Sequence, residues 1–117
     1  TYDIVICNHV LEHVPNDIQA MKEIYRILKK GGFAILQIPI SETLEYTFED
    51  FSITTSEERE IVFGQYDHVR IYGKDYVSRL TQSGFNVEIN SCNTLFNSKE
   101  INKYSLLKNE TIFLCNK

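Results

Sequence analysis

The segment Tyr2-Asp3-Ile4-Val5-Ile6-Cys7-Asn8 limits the fold more than any other stretch of the chain. Its centre, Ile4-Val5-Ile6-Cys7, is apolar without alternation. A strand with one wet face alternates apolar and polar residues. One covered on both faces does not, so this run predicts a strand in a parallel sheet flanked by helices. Downstream, Asn16 is a good helix N-cap, and Gln19 stands three residues later as in a capping box. Ile18, Met21, Ile24, Tyr25 and Leu28 then recur at helical spacing and form one apolar stripe, read as core. Lys29 and Lys30 suit a last helical turn, and Gly31-Gly32 is expected to stop the helix. Phe33 to Ile40 reads as a second strand, ended by Pro39. Strand, helix and strand should close as a right-handed parallel crossover.

Ser41 to Tyr66 is rich in Glu, Ser and Thr and reads as an excursion with one short helix, Ser56 to Phe63, capped by Ser56. Residues 41–72 together are expected to be a loop or lid insertion. A second clear helix is predicted over Lys74 to Ser83, capped by Gly84 with Phe85 as its hydrophobic contact. Asn86 to Ile89 reads as a strand. Ser91 to Asn109 reads as a polar loop with a short helix near Lys99 to Tyr104, and Thr111 to Cys115 as the last strand. Neither a repeat nor a linker divides the chain, so residues 1–117 are expected to be a single partial domain.

Composition removes several classes of function. The 117 residues carry a net charge of −4 and show no basic stripe, which argues against a nucleic-acid partner. No apolar run approaches the roughly 18 residues that cross a bilayer, so no membrane partner is expected. The three cysteines are odd in number and far apart, as expected of buried thiols in a reducing, cytoplasmic setting rather than a disulfide framework. The sequon Asn109-Glu110-Thr111 is read as chance, and the glutamates from Glu42 to Glu60 as a solvated face. Because the second residue already enters a core strand, the chain reads as a fragment of a longer protein.

The composite of first strand, Leu11-Glu12-His13 turn, helix, Leu28-Lys29-Lys30-Gly31-Gly32 and second strand resembles the C-terminal half of a class I S-adenosylmethionine-dependent methyltransferase of type 11. Lys30 stands where that family usually has proline. The resemblance covers nearly all of Tyr2 to Cys115. It implies an α/β fold with a partial Rossmann-like sheet made of the family's strands four to seven. The implied spatial order is fourth, fifth, seventh, sixth, the seventh antiparallel between its neighbours. The family binds its cofactor mainly through a glycine-rich loop after its first strand. That loop would precede this chain, so these residues alone are expected to bind S-adenosylmethionine poorly and to be inactive.

By resemblance, Asn8, His9 and Val10 border the cofactor and the methyl acceptor at the carboxyl end of the first strand, where open α/β sheets hold ligands. His9, Glu12 and His13 fall on one side of the turn if it is helical. Such spacing suits a divalent metal, but the reading favours Glu12 and His13 as hydrogen-bonding supports, and no metal is expected. His9, His13 and His68 are candidate proton acceptors, since imidazole titrates near neutrality. Tyr66, Arg70 and Tyr72 are candidate acceptor contacts: the tyrosines by stacking, Arg70 by pairing a carboxylate or phosphate. The expected activity is methyl transfer to a small-molecule acceptor by the complete domain. The alternative is a non-catalytic half-domain that completes a partner's sheet. An unpaired apolar strand at 2–8 would also favour a homo-oligomer.

Overall fold

A computed structural model of the chain describes Thr1–Lys117. The elements in order are β1 (Tyr2–Asn8), α1 (Asp17–Ile27), β2 (Leu28–Gln37), β3 (Phe48–Glu49), α2 (Ser56–Phe63), β4 (Arg70–Ile71), α3 (Tyr76–Gln82), β5 (Asn86–Ser91), α4 (Cys92–Leu95), α5 (Ser98–Lys103) and β6 (Thr111–Asn116). Four strands form one sheet in the order β1-β2-β6-β5, and β3 pairs with β4 in a separate small ribbon. β1 and β2 run parallel, while β6 is antiparallel to both β2 and β5. This is the order and polarity that the resemblance implies. No helix is long and apolar enough to cross a membrane.

The core lies on one face of the sheet. Ala34, Leu36, Phe113 and Cys115 pack there against Met21 and Leu28 of the first crossover and Tyr76 and Leu80 of α3. All three cysteines are free thiols. Burial raises Cys115 to about 12, so it stays a neutral core group. The opposite face differs from the reading of β1 as covered on both sides. Tyr2, Ile4 and Ile6 are 58%, 52% and 66% exposed. Ile4 and Ile6 pair with Phe33 and Ile35 of β2, and Ile35 pairs with Leu114 of β6. The non-alternating sequence of β1 therefore records an apolar second face that these residues leave bare.

Two local expectations need correction. The helix α1 ends at Ile27, before the lysines and glycines expected to close it. Sheet pairing claims that stretch instead, with Leu28 opposite Tyr2. The Lys117 ammonium takes the capping role, donating to the carbonyls of Tyr25, Arg26 and Leu28 at the end of α1. Lys29 turns outward to Asp3 at 2.8 Å. Gly32 is needed for close strand approach, since a Cβ there would lie 2.8 Å from the Asp3 carbonyl oxygen. The second correction concerns α2, whose N-cap is Thr55. Thr55 and Glu58 form a reciprocal capping box.

Candidate functional site

The site is built on the turn that leaves the carboxyl end of β1. His9 sits at φ 54°, a left-handed conformation, and its amide donates to the Gln37 carbonyl at 2.8 Å. The chain then turns sharply, the His13 amide bonding back to the Val10 carbonyl at 3.0 Å. This winding buries Leu11 and Glu12 completely while leaving Asn8, His9 and Val10 exposed at the sheet's carboxyl edge.

The segment that returns from the excursion fastens this turn. The Val69 amide donates to the Glu12 carbonyl at 2.9 Å. Arg70 is 1% exposed, and its guanidinium donates to the carbonyls of Leu11, Val14 and Pro15 and, at 2.7 Å, to Glu49. The Tyr72 hydroxyl donates to Asp17 at 2.7 Å, and Arg79 binds both oxygens of the same carboxylate at 2.8 and 3.0 Å. These bonds engage the polar groups of Arg70 and Tyr72, the two residues read from sequence as acceptor contacts. Both border a cavity, but their polar atoms are consumed inside the protein. Tyr66, the third candidate contact, is exposed and lines neither cavity described below. Glu49, read from sequence as part of a solvated face, instead pairs with Arg70 and Arg79. Asp17 and Arg79 were not singled out, because charged residues distant along the chain give no local sign that the fold will bury them together.

Burial alone would push the Asp17 carboxyl up. Hydrogen bonds from Arg79 and Tyr72 and the nearby Arg70 charge outweigh it and hold the group below the ordinary carboxylate range. A lowered folded value means that Asp17 stabilises the fold above the unfolded pKa and loses that contribution as pH falls through the folded one. Urea denaturation across a pH series should therefore show stability falling below about pH 4, the ordinary carboxylate value. Asp17→Asn should be less stable at neutrality and should shed this acid slope, at most about 1.4 kcal/mol per pH unit.

Beside the turn lies a cavity of about 390 Å³, lined by Glu12, Ser41, Phe63, Gln65, His68 and Tyr72 among others. A second cavity of about 340 Å³ opens at the ends of β1 and β2 and is lined by His9, Gln37, Glu110 and Phe113. Pro39 and Ile40 form a wall common to both. Glu12 and His68 of the first cavity's lining and the adjacent His13 each present a ligand-type atom, all within 4.8 Å of one another. The His13 and His68 rings meet edge to face with centroids 4.7 Å apart. Burial, reinforced by neighbouring His13, lowers the His68 pKa and keeps that ring neutral near pH 7. His9 instead projects outward, its side chain 64% exposed, with Nδ1 3.5 Å from the Glu12 carboxylate. The cluster read as His9–Glu12–His13 is thus completed by His68 from the excursion. Asp67, also missed by sequence, meets His13 Nδ1 through its backbone carbonyl at 3.2 Å, with its carboxylate also 3.2 Å away.

Comparison with known proteins agrees with this architecture. A family model described as a methyltransferase domain matches residues 1–36, which hold β1, the turn, α1 and most of β2. A solved S-adenosylmethionine-dependent methyltransferase from Mesorhizobium loti superposes on 98% of the chain with a TM-score of 0.55 at 13% identity. The chain carries a class I methyltransferase-like fold. An uncharacterized protein of Methanocaldococcus jannaschii is 46% identical over 55 residues, and the arsenite methyltransferase of Mus musculus is 44% identical over 46 residues. The chain spans 24% of the length of the first, 12% of the second and 61% of the Mesorhizobium loti methyltransferase. The turn after β1 and both cavities lie beyond the carboxyl ends of β1 and β2, where open α/β sheets in general hold ligands.

Proposed function

We propose that this chain supplies the acceptor side of a methyltransferase domain that moves the methyl group of S-adenosylmethionine to a small molecule. The supporting observation is the placement of the turn. The stretch that matches the methyltransferase family model delivers Asn8, His9 and Val10 to the carboxyl edge of the sheet, beside a cavity holding a neutral imidazole. Asn8, His9 and Val10 border the methionine portion of the cofactor. The acceptor lies in the cavity next to His68. The sulfonium already activates the methyl group, so the protein's tasks are alignment and removal of a proton. His68 takes that proton and Glu12 stabilises the resulting imidazolium. Arg70 and Tyr72 are positioning residues that hold the turn in place. The cofactor pocket is completed by residues beyond these 117, and the chain alone is inactive.

The test uses the full protein that carries this chain, with methyl-labelled S-adenosylmethionine and the small-molecule fraction of its own cells. Label should pass to a low-mass product. His68→Asn should lower the rate about 10²-fold, the smaller end of what a positioned base contributes. Absence of any labelled product would overturn the reading.

The bare sheet face favours one second reading, a module that works by association. β1 presents an unpaired apolar edge, and a second copy of the chain is the occupant that could pair with it through the same residues. Sedimentation at high micromolar concentration should then show a dimer, and mostly monomeric protein would contradict it.

A further inference from the structure

The 390 Å³ cavity beside the turn offers a ligand no free positive charge. Of its 11 lining residues, Arg70 alone is a permanent cation. Its side chain is 0% exposed, so its charge is closed off from the space it borders. Nε donates to Glu49 at 2.7 Å, Nη1 to the Leu11 and Val14 carbonyls, and Nη2 to the Pro15 carbonyl. Glu49 and, at 3.9 Å, Asp17 offset the charge itself. His68 is kept neutral near pH 7 by burial. Arg59, the one cation of α2, is not a lining residue, and Glu57, Glu58 and Glu60 outnumber it on its own helix. Ser41 and Gln65 add neutral polar groups only.

Negative charge is present on two sides. The Glu12 carboxylate is 2% exposed, and no hydrogen bond tempers its Oε2. The helix α2 ends at the cavity, where Phe63 and Gly64 form part of the wall. A helix C-terminus carries the negative end of the backbone dipole, and α2 has no basic residue in its last turn to offset it. Both features disfavour an anion. Two like charges about 6 Å apart, at an effective dielectric of about 20, weaken binding roughly 100-fold, and water at the cavity mouth screens part of that. An amine or a hydroxyl suffers no such penalty and also carries the proton that His68 takes.

We propose that this cavity selects its methyl acceptor by charge, taking amines and uncharged hydroxyl compounds and rejecting molecules that bear a carboxylate or phosphate beside the reacting atom. Pro39, Ile40, Phe63 and Ile71 give the acceptor's body an apolar bed. The proposal rests on the placement of the acceptor in this cavity and leaves the roles of Glu12 and His68 in proton transfer as they stand. Gln65 marks where the selection can be altered. It lines the cavity from the exposed loop after α2, so a lysine or arginine there supplies the missing cation without disturbing buried packing.

The test titrates the full protein that carries this chain with three probes of one shape: benzylammonium, benzyl alcohol and benzoate. Nuclear magnetic resonance follows the rings of Phe63 and Tyr72, which report this cavity, and of Phe113, which reports the second. Benzylammonium should bind at least as tightly as benzyl alcohol. Benzoate should bind at least about 10-fold more weakly than either, the part of the repulsion that survives screening. In Gln65→Lys and Gln65→Arg, benzoate should gain at least about fivefold while benzyl alcohol stays within about twofold. Benzoate less than 10-fold weaker than benzyl alcohol in the wild type would overturn the charge selection and leave the acceptor placement intact. Benzylammonium weaker than benzyl alcohol, or benzoate affinity unchanged in both Gln65 variants, would overturn it equally. If no probe shifts Phe63 or Tyr72, the acceptor placement itself fails, and the charge selection with it.

Discussion

Replacing Arg70 with methionine should cost about 3–5 kcal/mol, a large share of the 5–15 kcal/mol that holds an ordinary domain together. The size follows from what the guanidinium serves. It neutralises Glu49 at 2.7 Å, lies 3.9 Å from Asp17, and satisfies the carbonyls of Leu11, Val14 and Pro15. Methionine is shorter and replaces the apolar stem of the side chain but not the guanidinium. It leaves the Val14 and Pro15 carbonyls without a donor, removes one of the donors to Leu11, and leaves Glu49 with Arg79 alone. Arg70→Lys should recover only a small part of the loss, because a single ammonium cannot reproduce a planar fork that reaches several acceptors at once. Urea denaturation gives the magnitude. Native-state hydrogen exchange gives the location: the amides of His13 and Val14, in the turn that Arg70 holds, should exchange faster in Arg70→Met than those of β5 or β6. A loss below about 1 kcal/mol would mean that the turn is fixed by other contacts.

Tyr76→Ala should be similarly damaging, by about 3–5 kcal/mol, whereas Tyr76→Phe should cost about 1 kcal/mol. Tyr76 is wholly buried between Tyr72 and Phe113, with ring centroids 4.9 and 5.1 Å away. It joins α3 to the sheet, and its hydroxyl donates to the Leu36 carbonyl at 3.0 Å. Burial raises its pKa far above neutrality, so the hydroxyl remains a donor. Alanine removes the ring and opens a void at the centre of the core. Phenylalanine keeps the packing and gives up one hydrogen bond. Calorimetric or urea unfolding of the pair separates the two contributions. Equal losses would show that the hydroxyl, not the ring, dominates.

Much of the fold was legible in the sequence because its signals are local. The non-alternating run of β1, the stripe from Ile18 to Leu28 and the Gly84-Phe85 stop each reflect neighbours a few residues away, and the elements formed where these signals stand. The errors arose where a distant partner intervened. Lys29, Lys30 and the glycines have a helix-end sequence, yet pairing with β1 drew them into β2, and Lys117 from the other end of the chain capped the helix instead. The same distinction holds at the site. The turn from His9 to His13 was legible through its polar residues after the apolar run of β1. The roles of Arg70 and Tyr72 were not, since their polar, aromatic setting resembles a binding loop until the fold turns them inward. The recruitment of His68 to Glu12 spans 56 residues, and no spacing rule reports such a meeting.

The most direct test of the ligand-binding edge is hydrogen exchange on the full protein carrying this chain, with and without S-adenosylhomocysteine. The amides of Asn8, His9 and Val10 should slow markedly on addition, while α5, Ser98–Lys103, should not change. Unaltered exchange at 8–10 under conditions where the compound is bound would contradict the placement of the cofactor at the end of β1.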